Sequence, residues 1–270
     1  MTYRESDEFK LLLAHTEDLL ARQSGVLQST AFLNPKEQYF LRDALARRGA
    51  DGRTLFFGGA PGALRQKLFV LPRYIADLGA GEPLFETAVT YLGADAFDEI
   101  CPLRLTGGGF RAFSHRDYLG SLLSLGIERA TLGDIVLQSD CSAIVFASAA
   151  AADLLCTLEV RIASDKVKVE KTVIPPSFCI EQRFSAVSDT VASPRLDAVT
   201  AALGRLSRER AKEEIVRGAV ERNYETEFSP DETVEAGDIL TLHGVGKFEI
   251  TDLSAQTKKG RIRLCAKRYE

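Results

Sequence analysis

From Ser6 to Gln23 the apolar residues Phe9, Leu12, Leu13, Leu19 and Leu20 recur at helical spacing, which predicts an amphipathic first helix. A second follows in "NPKEQYFLRDALARRG", with Asn34 as N-cap, Pro35 as the first helical residue, Tyr39, Leu41 and Leu45 facing inward and Gly49 as the stop. "RTLFFGG" reads as a short strand, and "APGALRQKLFVLP" as a turn, a short helical or irregular piece and a second apolar run. These elements define a small N-terminal α/β domain over residues 1–80.

The rhythm changes over residues 81–180. "ICPLRLTG" is strand-like, "SHRDYLGSLLSLG" is an amphipathic helix capped by Ser114, and "GDIVLQ" and "SAIVFAS" are β-rich runs parted by Ser139 and Asp140. An Ala-rich helix from about Ala149 to Val160 and the strand "KVKVEKTVI" complete the order β-α-β-β-α-β, the ferredoxin-like arrangement of an RRM-like domain. Residues 82–98 fit no element and are left as a connector. The double proline of "VIPPS" closes this unit, and "SAVSDTVASPR" predicts a linker over residues 181–194. In residues 195–270, Leu196, Val199 and Leu203 form one helical face, and Ala211 and Ile215 form a second after Ser207 restarts the helix. Gly218 ends it, and strands begin near Val220. The fold class expected is α+β.

Composition narrows the possibilities. With 270 residues and 45% apolar content the chain can bury its own core. "SAIVFASAAAADLLCTLEV" is interrupted by Asp153 and rich in Ala, so no membrane span is expected. The charged start "MTYRESDEFK" lacks the apolar core of a signal peptide, which makes the cytoplasm the expected compartment. Cysteines at 101, 141, 156, 179 and 265 form no C-x-x-C pair and read as buried free thiols. His15, His115 and His243 are isolated, so neither a metal site nor a cofactor is expected.

The net charge of −4 says little, because charge is sorted along the C-terminal third. Arg195 to Arg222 holds seven basic and five acidic residues, Glu225 to Asp238 six acids and no base, and Lys247 to Arg268 seven basic and two acidic residues. On the second helix of that region Arg208, Lys212 and Arg217 are too dispersed to be core, and Arg195 opens the first. Such a basic face on a helical pair suits phosphate oxygens. In "KKGRIRLCAKRYE" the alternation of Arg261 and Arg263 with Ile262 and Leu264 predicts a half-buried strand with a basic outer face, extended by Lys258 and Lys259.

The pattern Arg195-Leu196-Asp197, Ser207-Arg208, Ala211, Ile215, Gly218, Val220, Asn223, Val234 and Gly237-Asp238-Ile239 resembles the S4 RNA-binding domain. With "SHRDYLGSLLSLGIERATLGDIVL" and "HGVGKFEI…KKGRIRL" the resemblance widens to the YlmH family, whose members carry the S4 domain behind an RRM-like domain. It implies a non-enzymatic, ribosome-associated protein that docks on the large ribosomal subunit and steadies peptidyl-tRNA during ribosome quality control. The implied partners are rRNA of the large subunit and tRNA, without a membrane partner and with the protein acting as a monomer. Carried over by position, Arg195, Ser207, Arg208, Lys212 and Arg217 face RNA phosphates, joined by Lys247 and by Lys258, Lys259, Arg261 and Arg263. Asp197 and Gly218 shape the fold.

Other motifs compete with this reading. "RLD" also occurs in pseudouridine synthases, but here Pro194 stands where their loop has His and Thr200 is followed by Ala-Ala. "TGGGFR" lacks the ending of a P-loop or a dinucleotide fingerprint and reads as a flexible loop in which Arg111 can meet RNA. His115-Arg116-Asp117 lacks the partners of a kinase catalytic loop, so Asp117 serves the helix start and His115 and Arg116 are a second candidate RNA contact. The β runs of the RRM-like domain offer Phe146 alone where stacking aromatics are wanted. An RNA-modifying enzyme anchored by the S4 domain and a scaffold near the division machinery stand as alternative functions.

Overall fold

The computed structural model describes residues 3–22, 25–78, 83–107, 112–254 and 260–269. It is mixed α/β with antiparallel sheets, as an α+β fold requires, and divides into a unit of residues 4–180 and a C-terminal unit built on residues 181–270.

The first unit begins with α1 (Asp7–Ala21), capped by Ser6, and β1 (Gln28–Leu33). In α2 (Pro35–Arg47) Asn34 accepts from the Glu37 amide while the Glu37 carboxylate accepts from the Asn34 amide, a reciprocal cap. The buried face of α2 is Phe40, Leu41, Ala44 and Leu45, with Tyr39 only half-buried. Next come β2 (Thr54–Phe57) and β3 (Gln66–Val70), and β3 lies between β1 and β2 in one antiparallel sheet. Residues 84–97, left without structure in the sequence reading, form α4 (Leu84–Leu92) and a 3₁₀ turn after the short α3 (Arg73–Leu78). The polar spacing within "LFETAVTYLGADAF" hides a helix whose burial depends on partners distant in sequence, with Ala88 fully buried.

The second sheet is made by β4 (Ile100–Thr106), β5 (Leu132–Leu137), β6 (Ala143–Ser148), β7 (Val160–Ile162) and β8 (Asp165–Lys171), in the order β5-β6-β4-β8-β7. Its helices are α5 (His115–Ser124) and α6 (Ala149–Thr157). The second helix stops at Thr157, short of the expected Val160, which belongs to β7. Leu103, Leu105, Val145 and Ala147 of this sheet pack beneath Tyr118 and Leu122 of α5 and Ala152 and Leu155 of α6.

Alternation sends Ile144 and Phe146 to the opposite face, where they meet Phe32, Leu55 and Phe69 of the first sheet. The far side of that first sheet, Leu33, Leu68 and Val70, is covered by Leu19 of α1 and Leu41 and Leu45 of α2. The unit is therefore layered helix, sheet, sheet, helix around continuous apolar contact. Gly59 shows how close the layers come: a Cβ there would lie 2.4 Å from Phe146 Cδ1.

The C-terminal unit contains β9 (Phe184–Val191), α7 (Leu196–Gly204), α8 (Arg208–Val216), β10 (Val220–Arg222), β11 (Glu225–Thr226), β12 (Ile239–Leu242), β13 (Gly246–Asp252) and β14 (Ile262–Tyr269). The sheet order is β11-β10-β12-β13-β14-β9. β9 corrects the expected linker: residues 184–191 pair with β14 over its whole length, from Phe184 opposite Tyr269 to Val191 opposite Ile262. Its small polar residues resemble a linker because an edge strand needs few apolar anchors, here Val187 and the buried Val191. Leu196, Val199, Leu203 and Ile215 pack the helical pair onto Leu240, Leu242, Phe248, Ile250 and Leu264 of one sheet face. The five cysteines are free, but none is buried and Cys156 and Cys179 are exposed, so the reading of them as core thiols does not hold.

Candidate nucleic-acid interface

α7 starts at a tethered corner. The amides of Leu196 and Asp197 donate to Glu232 O and Pro230 O at 2.8 and 2.9 Å, and Val234 N donates to Pro194 O at 2.7 Å. Asp197 is thereby fixed with its side chain fully buried, and cations collect around it. Arg195 donates from Nε and Nη2 at 3.3 and 3.2 Å, Arg208 from Nη2 at 3.0 Å, and Lys212 Nζ stands 3.9 Å away. Burial by itself disfavours the Asp197 carboxylate, but the hydrogen bonds and charge of Arg195 and Arg208 outweigh it and hold the group below the usual carboxylate range. The Arg195 guanidinium is correspondingly raised by its bond to Asp197. One anion thus anchors three cations whose side chains remain 39–49% exposed, with guanidinium donors to spare for a phosphate.

Ser207 is in the same corner, but its hydroxyl caps α8 by accepting from Arg210 N at 3.2 Å. Between the helices Arg205 adopts a left-handed conformation, φ 52°. Arg205, Arg208 and Arg261 line a groove of about 350 Å³ beside Ala198, Ala201 and Ala202 of α7. The sequence reading missed Arg205; its place in the "LGRLS" corner was the available signal. Arg261 is also held by a bond from Nη2 to Thr190 O at 2.5 Å.

The remaining candidates are dispersed. Arg217 lies just past α8, exposed and ion-paired with Glu214. Arg263 is exposed on β14, and since Leu264 points to the helices, Arg263 faces the other side of the sheet. Lys247, next to the inward Phe248, also faces away from α7 and α8. It is half-buried, 4.5 and 5.5 Å from the ring centroids of Tyr224 and Tyr269, and donates to Tyr224 Oη at 3.1 Å. Burial pushes the Lys247 ammonium below its ordinary range. His115 and Arg116 occupy the exposed first turn of α5 in the other unit. Arg111, Lys258 and Lys259 lie outside the described residues.

A second carboxylate shapes the strands behind the corner. Asp238 accepts from Arg222 Nε at 2.8 Å, Asn223 Nδ2 at 2.7 Å and Glu235 N at 2.9 Å. Asn223 and Tyr224, at φ 52° and 68°, make the two-residue turn between β10 and β11, and this turn places the Tyr224 ring beside Lys247. Among the described residues no group of three or more His, Cys, Asp or Glu could hold a metal ion. No helix among them is long and apolar enough to cross a membrane.

Residues 107–175 match the family model described as "Putative RNA-binding domain in YlmH". That span covers most of the second sheet and both its helices. The chain is 30% identical over 248 residues to the ribosome-associated protein quality control protein P2 of Bacillus subtilis (strain 168), covering 90% of this chain and 88% of that one. A solved structure of the cell division protein YlmH from Streptococcus pneumoniae aligns at 17% identity and a TM-score of 0.42, over 62% of this chain and 88% of that one. With that identity spread over nearly the whole of both chains, and the family's own domain matched inside the first unit, this chain belongs to the YlmH family.

Proposed function

We propose that this protein is a non-enzymatic RNA-binding factor that docks on the large ribosomal subunit and stabilises peptidyl-tRNA during ribosome quality control. The observation that carries the reading is the corner at Asp197, where one buried carboxylate presents Arg195, Arg208 and Lys212 together on a helical pair. Three clustered cations on a rigid support read phosphate position rather than base identity. The relative's name, a ribosome-associated quality control protein, supplies the setting.

In this reading the C-terminal unit is an S4 RNA-binding domain and residues 81–180 are RRM-like. Support for the second assignment comes from the chain order β4-α5-β5-β6-α6-β8 with spatial order β5-β6-β4-β8. Base stacking on that sheet is not part of the proposal, because Phe146 is buried against the first sheet. Tightly placed phosphate contacts would come from Arg195, Arg208 and Lys212 first, then Arg205 and Arg261. Ser207 shapes the corner, and Arg217, Lys247 and Arg263 are peripheral. The protein works in the cytoplasm as a monomer on rRNA and tRNA.

The test is sucrose-gradient sedimentation of tagged wild type beside Arg195→Ala/Arg208→Ala, with the RNA of each fraction identified. Wild type is expected with free large subunits carrying tRNA, and the folded double variant at the top of the gradient. Wild type remaining at the top while translation is stalled would overturn the ribosomal role.

A further inference from the structure

The first unit carries a cleft that the ribosome-docking reading leaves unused. Arg22 at the end of α1, Arg53 in the turn before β2, and Arg73, Tyr74 and Asp77 of α3 line a hollow of about 580 Å³. Three arginines thus line one cleft, and among the described residues of its lining Asp77 is the single acid. Other arginines of the same unit are neutralised locally: Arg4 and Arg47 pair with Asp43, and Arg48 with Glu17. Among the described residues Arg22, Arg53 and Arg73 make no ion pair. Arg53 is anchored through Nη2 to Leu71 O at 3.2 Å, while its buried Nε–H has no acceptor. An unpaired buried donor on a cation is costly unless something supplies the acceptor.

We propose that this cleft is a second RNA site, which binds a backbone phosphate between Arg22, Arg53 and Arg73 and stacks an adjoining base on Tyr74. Three arginines against one aspartate leave the cleft an excess of positive charge that an anion would offset, and arginine's planar fork fits phosphate oxygens bidentately. The hydroxyl of Tyr74 donates to Gly25 O at 3.0 Å, which holds a ring that is still 52% exposed. An exposed ring beside guanidinium groups suits a base and its phosphate together, as in sequence-tolerant single-strand recognition. The inference rests on the RNA-binding reading for its ligand class, but not on the Asp197 corner.

The test uses full-length protein and unfractionated tRNA as probe. Salt-dependent binding is compared among wild type, Arg22→Ala/Arg73→Ala, Arg195→Ala/Arg208→Ala and the combined variant. Arg22 and Arg73 are exposed at the cleft rim, so their loss should leave folding intact, which circular dichroism checks. Removing the two cleft arginines should weaken binding and flatten the log-log salt slope by about 1.5 units. An unchanged slope there, with a flattened one in Arg195→Ala/Arg208→Ala, sinks the cleft alone. The reverse pattern sinks the corner and supports the cleft. The ¹⁵Nε signal of Arg53 separates the phosphate sources: a shift with tRNA at phosphate concentrations where inorganic phosphate does nothing supports RNA. A response to inorganic phosphate without one to tRNA would make the cleft a small-anion site and overturn the assignment.

Discussion

Each unit of this protein gathers two arginines near one aspartate, and the two aspartates titrate in opposite directions. In the first unit Asp134 accepts from the Leu64 and Arg65 amides at 2.6 and 3.2 Å. Its arginine neighbours spend their donors elsewhere, Arg65 on Leu132 O, Phe32 O and Arg129 O, and Arg129 on Leu132 O and Gly133 O. Burial therefore wins and raises the Asp134 carboxyl, while burial and the charge of Arg65 bring Arg129 down to about 10. In the C-terminal unit guanidinium N–H groups reach Asp197 directly, and its carboxyl is lowered. The difference teaches that arginine proximity does not by itself set ionisation; direct charge-assisted bonds do. It also separates two uses of arginine: Arg65 stitches the two sheets of the first unit through backbone carbonyls, whereas Arg195 and Arg208 bond a carboxylate with their side chains still partly exposed.

The comparison can be broken most forcefully at Asp197. Asp197→Ala removes the acceptor of two guanidinium groups and is expected to cost about 2 kcal/mol, read as a lowered urea midpoint for amides of the C-terminal unit. A change within error would mean the corner is held by its backbone tethers alone.

Acid titration gives the next largest effect, with opposite signs in the two units. A lowered folded pKa contributes stability above the unfolded value and loses it as pH falls, so the advantage of wild type over Asp197→Asn should shrink below about pH 4. A raised folded pKa does the reverse: the advantage of wild type over Asp134→Asn should grow as pH falls toward about 4. Hydrogen exchange read separately in the two units distinguishes them, and parallel pH limbs would refute the contrast.

Ser207→Ala should have the smallest effect and sharpen the division of labour inside the corner. Losing the N-cap is expected to cost about 1 kcal/mol, while the salt slope of RNA binding stays that of wild type, because the hydroxyl is engaged with Arg210 N. A flattened slope would restore Ser207 as a phosphate contact.

Much of the fold and part of the site were legible in the residues. The caps at Asn34, Ser114 and Ser207 announced three helices, since N-cap chemistry acts within a few residues. The six-residue runs of β5 and β6 followed from their β-rich composition and the turn residues between them. β9 was not legible, because an edge strand of Ser, Thr and Asp carries almost no pattern until a partner eight residues long aligns with it. α4 was likewise hidden, its burial coming from residues far away in sequence. At the site, clustering of Arg195 and Arg208 around Asp197 was within reach, because all three lie within one helical corner.

The sequence alone determined the helices, their caps, the succession of elements and the sorting of charge, since these depend on side chains a few positions apart. Tertiary structure decided which cations lie together. It buried Phe146 between two sheets, closed Lys247 between two tyrosines, set Arg261 beside Arg205 and Arg208, and brought Arg22, Arg53 and Arg73 around one cleft. The physical reason is that exposure and convergence are properties of packed surfaces, set by which layers meet and which face of each strand they cover.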